Sequence, residues 1–379
     1  MSHKGFRIGI DIRKIDDYGI GTYIQNLLNG LPYDNNITYL FLGNDRMPID
    51  KYIKKNTNYR QVNSKSYSFK ELITIPYIAY SNNLDLLHVP HYVVSPFTPH
   101  RIKVIVTIHD IIHLLFPKYF PFPLAYYYAK VMLSLVSKRA NKIITVSEYS
   151  KQDMVKHLRI SPNKIEVIYN GLDPVFCSEE KKIKDKRACH PLIARDYLLY
   201  VGNFKPHKNL TNLIKSFNIL YNTYSKNYDL ILAGGNLDEQ PDLKNLVRQY
   251  SLSHVVKSLG YISLKELPPL YSNATLFIYI SLYEGFGFPP LEAMACGIPV
   301  IVSNRSSLPE IIGDAAVFVD PYNIENIYEG MISVLSSTYF KNELVAKGKK
   351  RAEKFSWKEM SKKVVNVYES TLFGHGNRL

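Results

Sequence analysis

Short apolar runs recur along the chain, and most are followed by a longer stretch with helical spacing. In the first half the runs occupy residues 6–12, 38–43, 84–89, 103–108, 142–146 and 164–169. In the second half they occupy 197–201, 228–233, 256–260, 274–280, 298–303 and 315–319. Nearly all are rich in Val, Ile, Leu and Tyr without polar alternation, the pattern of parallel strands covered on both faces. Strand–helix alternation over both halves predicts an α/β protein with two doubly wound domains. The charged run 179–187 lacks apolar periodicity and marks a linker. The expected domains are therefore 1–175 and 176–356, and the segment from Phe355 to Leu372 reads as one further helix.

A chain of 379 residues with 46% hydrophobic composition has material for two full cores. The net charge is +14, divided as +9 over residues 1–175 and +5 over the remainder. Phosphorylated substrates, anionic lipid and nucleic acid would all be attracted, and charge alone does not choose among them. Cys177, Cys189 and Cys296 form no C-x-x-C pair, which fits a reducing compartment. Cys296 reads as packing within an apolar helix. Residues 6–12 are too short and too quickly interrupted by charge for a secretory signal. No apolar stretch approaches the roughly 20 residues that span a bilayer. The expectation is a cytoplasmic protein, soluble or peripheral at the membrane face.

The densest chemistry lies in residues 281–300. Glu284 and Glu292 stand eight positions apart, after the apolar run 274–280. Gly285 and Gly287 allow a tight turn with exposed amides, and Pro289 and Pro290 suit a first helical turn. Glu292 is expected in that turn, beside the positive end of the helix dipole. A strand end offering amide donors and two carboxylates suits a nucleotide sugar, with its diphosphate and its polyols. The plainer reading is a solvated acid at a strand end and a dipole-stabilising acid in a helix.

Glu284 followed by Gly285-Phe286-Gly287, and Glu292 within Glu-Ala-Met-Ala-Cys-Gly-Ile-Pro-Val300, resemble the retaining glycosyltransferases of family 4. The resemblance runs from the glycines near Gly19 to the Trp357 region. It implies the GT-B fold: two Rossmann-like doubly wound domains facing a central cleft. Domain 1–175 would bind acceptor and domain 176–356 the nucleotide sugar, with a C-terminal helix at about 357–379 crossing back onto the first. It further implies that Glu284 approaches the sugar hydroxyls and that Glu292 accepts hydrogen bonds from the ribose. Amides near Phe286, Gly287 and Phe288, with Leu291 in the same turn, would meet sugar or phosphate.

Other segments acquire roles the same way. Gly19 and Gly21 lie in the first strand–helix turn, and the resemblance places that loop over the donor phosphates. Ile24 occupies the third glycine position of a dinucleotide fingerprint, which disfavours an NAD site. His109 closes the run Val-Thr-Ile-His-Asp110 and by resemblance lies beside the transferred sugar, hydrogen bonding rather than acting as a base; Asp110 orients the loop. Lys208 would neutralise the diphosphate. The family's nearby Arg is replaced by Asn203, so Lys205 or His207 becomes the substitute cation. Gly234, Tyr261 and Ile262 end further strands and would line the base pocket. Ser147 reads as a helix N-cap in a turn the family places at the cleft. Pro309 and Glu310 read as the start of a helix near the site. The aromatic, basic stretch 116–130 reads as a loop packed by its own rings, with an acceptor- or membrane-facing role as the alternative.

The combined expectation is a catalyst that transfers a hexose, with retention, from a nucleotide-diphosphate sugar to a glycan or lipid-linked acceptor in surface polysaccharide or glycolipid assembly. UDP-glucose is preferred, with GDP-mannose next. No Asp-x-Asp triplet is present, so no metal and no cofactor are expected. Contact with an anionic membrane is compatible with the charge, and no nucleic-acid partner is expected. The alternatives are a non-catalytic basic binding protein on the same scaffold, associated with membrane or nucleic acid, and a nucleotide-sugar epimerase or phosphorylase, which would need other residues around the cleft.

Overall fold

The computed structural model describes residues 5–17, 19–33, 36–44, 49–64, 68–117, 123–177 and 190–373, with only the backbone at 123–125. The expected linker run 179–187, Cys189 and part of the 116–130 stretch lie outside the described residues. The chain divides into two compact units, Met1–Gly171 with Trp357–Leu379, and Leu172–Ser356.

Unit 1 runs β1 (Phe6–Asp11), α1 (Ile20–Gly30), β2 (Ile37–Gly43), β3 (Thr57–Gln61), α2 (Glu71–Ser81), β4 (Leu86–Val89), β5 (Lys103–Thr107), α3 (Ile112–Leu115), α4 (Pro123–Arg139), β6 (Lys142–Thr145), α5 (Glu148–Leu158) and β7 (Ile165–Val167). Unit 2 runs β8 (Asp196–Val201), α6 (Leu210–Thr223), β9 (Tyr228–Ala233), α7 (Pro241–Gln249), β10 (Val256–Gly260), α8 (Leu267–Ser272), β11 (Leu276–Tyr279), α9 (Phe288–Ala295), β12 (Val300–Ser303), α10 (Leu308–Ile312), β13 (Val317–Val319), α11 (Ile324–Leu335) and α12 (Thr338–Ala352). The last helix, α13 (Trp357–Phe373), belongs to unit 1.

Both sheets are parallel, in the orders β3-β2-β1-β4-β5-β6-β7 and β10-β9-β8-β11-β12-β13. The order reverses between β1 and β4 in the first, and between β8 and β11 in the second. Central strands are largely apolar because helices cover both faces; all four residues of β11 and of β12 are buried. β3 was not expected from the sequence. Its residues Thr-Asn-Tyr-Arg-Gln61 are mostly exposed, as befits a sheet edge where the apolar pattern is relaxed. The helix starts follow local chemistry. The Ser147 hydroxyl accepts from the Ser150 amide at 3.1 Å, an N-cap with Glu148 in the first turn of α5. Asn323 and Ser337 cap α11 and α12 in the same manner.

Within unit 1, α13 lies on α1. Ser361 donates to the Asn26 carbonyl at 3.1 Å. A buried polar chain then links this helix to the sheet. Tyr368 meets His88 Nδ1 at 2.6 Å, His88 Nε2 meets Thr107 Oγ1 at 2.8 Å, and Thr107 meets the Tyr23 hydroxyl at 3.0 Å. Burial, with the charges of His109 and His91, pushes His88 down to about 3, so the ring is neutral and spends one nitrogen as donor and one as acceptor. Replacing Tyr368 with Phe leaves a buried ring nitrogen unpaired. The expected loss is about 1–3 kcal/mol in urea unfolding of the full chain at pH 7, and an unchanged midpoint would show that the link carries no stability.

Candidate active site

Lys208 and Glu284 arrive from opposite sides of the unit 2 crossover. Lys208 ends a short turn that follows β8, and Glu284 lies in the turn that follows β11. Crevices form where neighbouring strands send their connections to opposite sides of the sheet. Lys208 Nζ stands 2.6 Å from Glu284 Oε1 and 2.8 Å from the Tyr279 hydroxyl, which in turn donates to Glu284 Oε1 at 2.8 Å. The three groups form a closed triangle, with side-chain exposures of only 10% for Lys208 and 13% for Glu284.

The two loops are sewn together by backbone partners. Leu282 donates its amide to the His207 carbonyl at 2.7 Å, and the Ser281 hydroxyl donates to the same oxygen at 3.1 Å. Asn209, in the left-handed region at φ 62°, donates its side-chain amide to the carbonyls of Ile280 and Pro321. From the other side, the Ser306 hydroxyl accepts from the Glu284 amide at 3.0 Å. Ser307 donates to the Glu284 and Phe286 carbonyls at 3.0 and 3.1 Å. Sequence reasoning assigned Ser306, Ser307 and Tyr279 no part in the site. Tyr279 reads as one more apolar strand position, and its hydroxyl matters only once the fold aims it at Lys208.

The two glutamates have opposite electrostatic fates. Burial alone would push Glu284 up, but the Lys208 charge and the hydrogen bonds of Lys208 and Ser281 outweigh it and hold the carboxyl below its ordinary range. Glu292 is pushed up to about 7 by burial, against the Tyr271 hydroxyl that donates to it at 2.7 Å, with the Asp173 charge adding to the rise. Its expected place in the first helical turn is corrected: α9 begins at Phe288, so Glu292 is the fifth residue, and no acid lies in the first turn. Dipole stabilisation falls off within the first turn, and Tyr271 supplies the local partner instead.

The other residues that sequence assigned to the donor are found in different states. Phe286 is buried, Gly287 caps α9 at φ 101°, and Leu291 is wholly buried beneath the helix. Pro289 and Pro290 carry no N–H, so Gly287 and Phe288 are the amide-bearing residues at this helix start. Asn203 is exposed and serves its own turn: its side-chain oxygen accepts from the Lys205 amide at 3.2 Å. His207 is pushed down to about 4 by burial and by the Lys208 charge, so it is neutral at pH 7 and leaves the exposed Lys205 as the second cation of this loop. Gly234, at φ 97°, follows β9. A Cβ there would stand 2.6 Å from the Gly202 carbonyl oxygen, so the turns after β8 and β9 meet backbone to backbone. Tyr261 is 71% exposed beyond the end of β10, with Ile262 half-buried beside it.

Unit 1 gathers the other expected residues. Gly19 caps α1 at φ 71°, and a Cβ on Gly21 would lie 2.3 Å from the Ile15 carbonyl oxygen, so the turn admits no side chain there. Two residues on, the Tyr23 ring stands edge-on to the His109 ring at 5.1 Å. His109 is pushed down to about 4 by burial, against its hydrogen bond to Pro90 and with the charge of His91. Pro90 offers only a carbonyl, so the ring donates there. Among the described residues His109 Nε2 has no partner, which assigns the donated proton to Nδ1 and leaves Nε2 as an acceptor. Asp110 accepts from the Ile112 amide at 3.0 Å and so shapes the loop. At this sheet's own crossover Arg13 bridges Asp11 at 2.6 Å and Glu71 at 2.8 Å, while His91 meets Asp11 at 3.2 Å, a buried ion cluster that fixes the turn after β1.

Residues 185–354 match the model described as Glycosyl transferases group 1, and residues 18–176 match Glycosyltransferase Family 4. The O-antigen chain mannosyltransferase B of Escherichia coli is 31% identical over 291 residues, covering 75% of this chain and 74% of that protein. The chain is a family 4 glycosyltransferase. The O-antigen chain mannosyltransferase RfbU of Salmonella typhimurium is 33% identical over 57% of this chain, and 56% of its own length is matched. Among solved structures, sucrose-phosphate synthase from Thermosynechococcus elongatus superposes with a TM-score of 0.77 at 17% identity, covering 96% of this chain and 98% of that one. Anabaena HepE in complex with UDP-glucose gives 0.75 at 16%, covering 96% and 99%. Both are likenesses of fold, and the fold is GT-B.

Two outcomes follow for the glycosyltransferase. Lys208→Ala leaves the Glu284 carboxylate buried without its cation and is expected to cost about 3–5 kcal/mol in urea unfolding, with much of the loss recovered by adding Glu284→Gln. No loss in the single variant would mean that the pair is solvated. For Glu292 the folded value lies above the ordinary 4.5, so the native state binds this proton more tightly and loses stability as pH rises from about 4.5 through 7. Glu292→Gln should therefore be more stable than the parent at pH 8, by up to about 3 kcal/mol, and equal to it below pH 4.5. Parallel melting curves of the two proteins across that range would contradict the raised value.

Proposed function

We propose that this glycosyltransferase moves a hexose, with retention of anomeric configuration, from a nucleotide-diphosphate sugar to a glycan or lipid-linked acceptor in surface polysaccharide assembly on the cytoplasmic side. The observation that carries the reading is the Lys208–Tyr279–Glu284 triangle at the crossover of the unit 2 sheet. A buried ammonium already fixed by a carboxylate is a preorganised partner for a diphosphate, because little reorganisation is needed when the leaving group gains charge. Glu284 has a second carboxylate oxygen with which to accept from sugar hydroxyls, and Glu292, paired with Tyr271, is the candidate for the ribose. In unit 1, family resemblance alone gives His109 a hydrogen bond to the transferred sugar; its Nε2 is buried and lacks a partner among the described residues.

The bond from the anomeric carbon to the phosphate oxygen breaks as the bond to the acceptor oxygen forms. The acceptor proton passes to the departing phosphate oxygen, so no side chain has to act as nucleophile. Charge on the leaving diphosphate is carried by Lys208, Lys205 and backbone amides, without a metal ion. The similarity to mannosyltransferases supports GDP-mannose, the second choice read from sequence, as donor ahead of UDP-glucose. Tyr261, Ile262 and the Gly234 turn lie at the ends of the outer strands, where the base would sit.

A thermal-shift series with GDP, GDP-mannose, UDP and UDP-glucose tests the donor. A ligand at 100 times its dissociation constant stabilises the native state by about 2.7 kcal/mol, enough for a clear rise in melting temperature. GDP and GDP-mannose should give the larger rise, and GDP release on adding a lipid-linked glycan should persist in EDTA. A rise with the uridine compounds alone overturns the donor assignment, and loss of turnover in EDTA overturns the metal-free reading.

A further inference from the structure

The helical layer of unit 2 carries an open groove of about 690 Å³. It is lined by Lys215 and Asn218 of α6, by Tyr250 after α7, and by Asp320, Tyr322 and Glu325 around the start of α11. Its size lies within the roughly 300–1,000 Å³ of small-ligand sites. The turn after β13 that forms its rim is heavily braced. Asp320 Oδ1 accepts from the Tyr322 amide at 3.1 Å, and Asn326 Oδ1 accepts from the Asp320 amide at 2.9 Å. The Asn209 and Asn212 side chains both donate to the Pro321 carbonyl, at 2.7 and 2.9 Å. This bracing holds outward a ring that folding does not use: Tyr322 is 61% exposed. The Arg305 guanidinium lies over that ring at 5.8 Å and reaches Asp320 at 3.7 Å, which restricts the ring further.

The lining chemistry narrows the ligand. Among the described residues the side-chain polar atoms of Lys215, Tyr250 and Glu325 have no partner. Asn218, whose Oδ1 accepts from Asn222 at 3.0 Å, keeps its Nδ2 for a ligand. A pyranose presents C–H bonds on its faces and hydroxyls round its rim. A rigid tyrosine ring suits the faces; amide, ammonium, phenol and carboxylate groups suit the rim, since hydroxyls both donate and accept. Charge narrows the class again. Two acids and one lysine line the groove of a chain whose net charge is +14, so electrostatics do not favour a polyanion here. Ile219 and Ile324, the aliphatic residues of the lining, are half-buried, which leaves too little apolar surface for the core of a protein interface.

We propose that this groove binds a neutral hexopyranose oligosaccharide, stacked on Tyr322 and hydrogen-bonded by Asn218, Tyr250 and Glu325, at a site separate from the Lys208–Glu284 centre. The groove takes no part in bond making, so its failure as a binding site leaves the transfer chemistry untouched. Isothermal titration of the full chain with mannotetraose, maltotetraose and a sulfated heparin tetrasaccharide tests it. The parent should bind at least one neutral sugar with a dissociation constant below about 10 mM, and the sulfated one at least roughly tenfold more weakly. Tyr322→Ala should weaken the neutral sugar at least roughly tenfold, and Asn218→Ala should weaken it less. Tyr322→Phe, which keeps the stacking face, should stay within about twofold of the parent. Tyr322→Ala should also keep the parent unfolding midpoint and the parent rate of nucleoside diphosphate release with a short soluble acceptor. Identical isotherms for parent and Tyr322→Ala overturn the proposal, because the sugar would then sit elsewhere on the chain. Failure of the parent to bind either neutral sugar overturns it, as does preferential binding of the sulfated one.

Discussion

An ammonium and a carboxylate 2.6 Å apart, each about nine-tenths buried, set the terms for unit 2 of this protein. Removing two charges from water is costly, and their attraction offsets the cost only when the geometry is held and the remaining hydrogen-bonding capacity is used. That requirement explains the surroundings. Tyr279 fills the gap between the two charges, Ser306 and Ser307 fix the backbone on either side of Glu284, and the His207 carbonyl draws the turn after β11 onto the turn after β8. The pair sits where the sheet order reverses, the place where an α/β sheet offers a crevice without disturbing its core.

The same short segment keeps its two carboxyls in different states. Glu284 is ionised because Lys208 is beside it, while Glu292, eight residues on, faces a tyrosine hydroxyl in a buried setting and holds its proton to about pH 7. Like environments would have made them compete. Separate ones give the site a fixed anion that positions a cation, and a carboxyl whose charge is sensitive to what enters beside it. Unit 1 follows a related logic with imidazole: His88 and His109 are both neutral, one satisfied at both nitrogens and the other with Nε2 unspent among the described residues.

Most of the architecture was legible because parallel strands buried on both faces leave long apolar runs, and twelve such runs stand out. β3 escaped because an edge strand with an open face has no need of them; Thr-Asn-Tyr-Arg-Gln61 looks like loop. Glu284 and Glu292 were singled out from sequence, yet the start of α9 was set too late, because paired prolines fit several positions of a helix start and Phe288 gives no capping signal. Tyr271 and Tyr279 were hidden among 30 tyrosines, since a strand or helix tyrosine reads as core until the fold shows its hydroxyl partner. Asn203 looked like a missing cation and is a turn residue bonded to its own loop.

The most direct measurement is a double-mutant cycle on nucleoside diphosphate release with saturating acceptor, using Lys208→Met, Glu284→Gln and the pair. If the two groups act as one preorganised unit, each single change lowers kcat by about 100-fold or more, and the double variant is little worse than either. Losses that multiply would mean that Lys208 and Glu284 act separately, and full turnover in either single variant would show that the triangle takes no part in transfer.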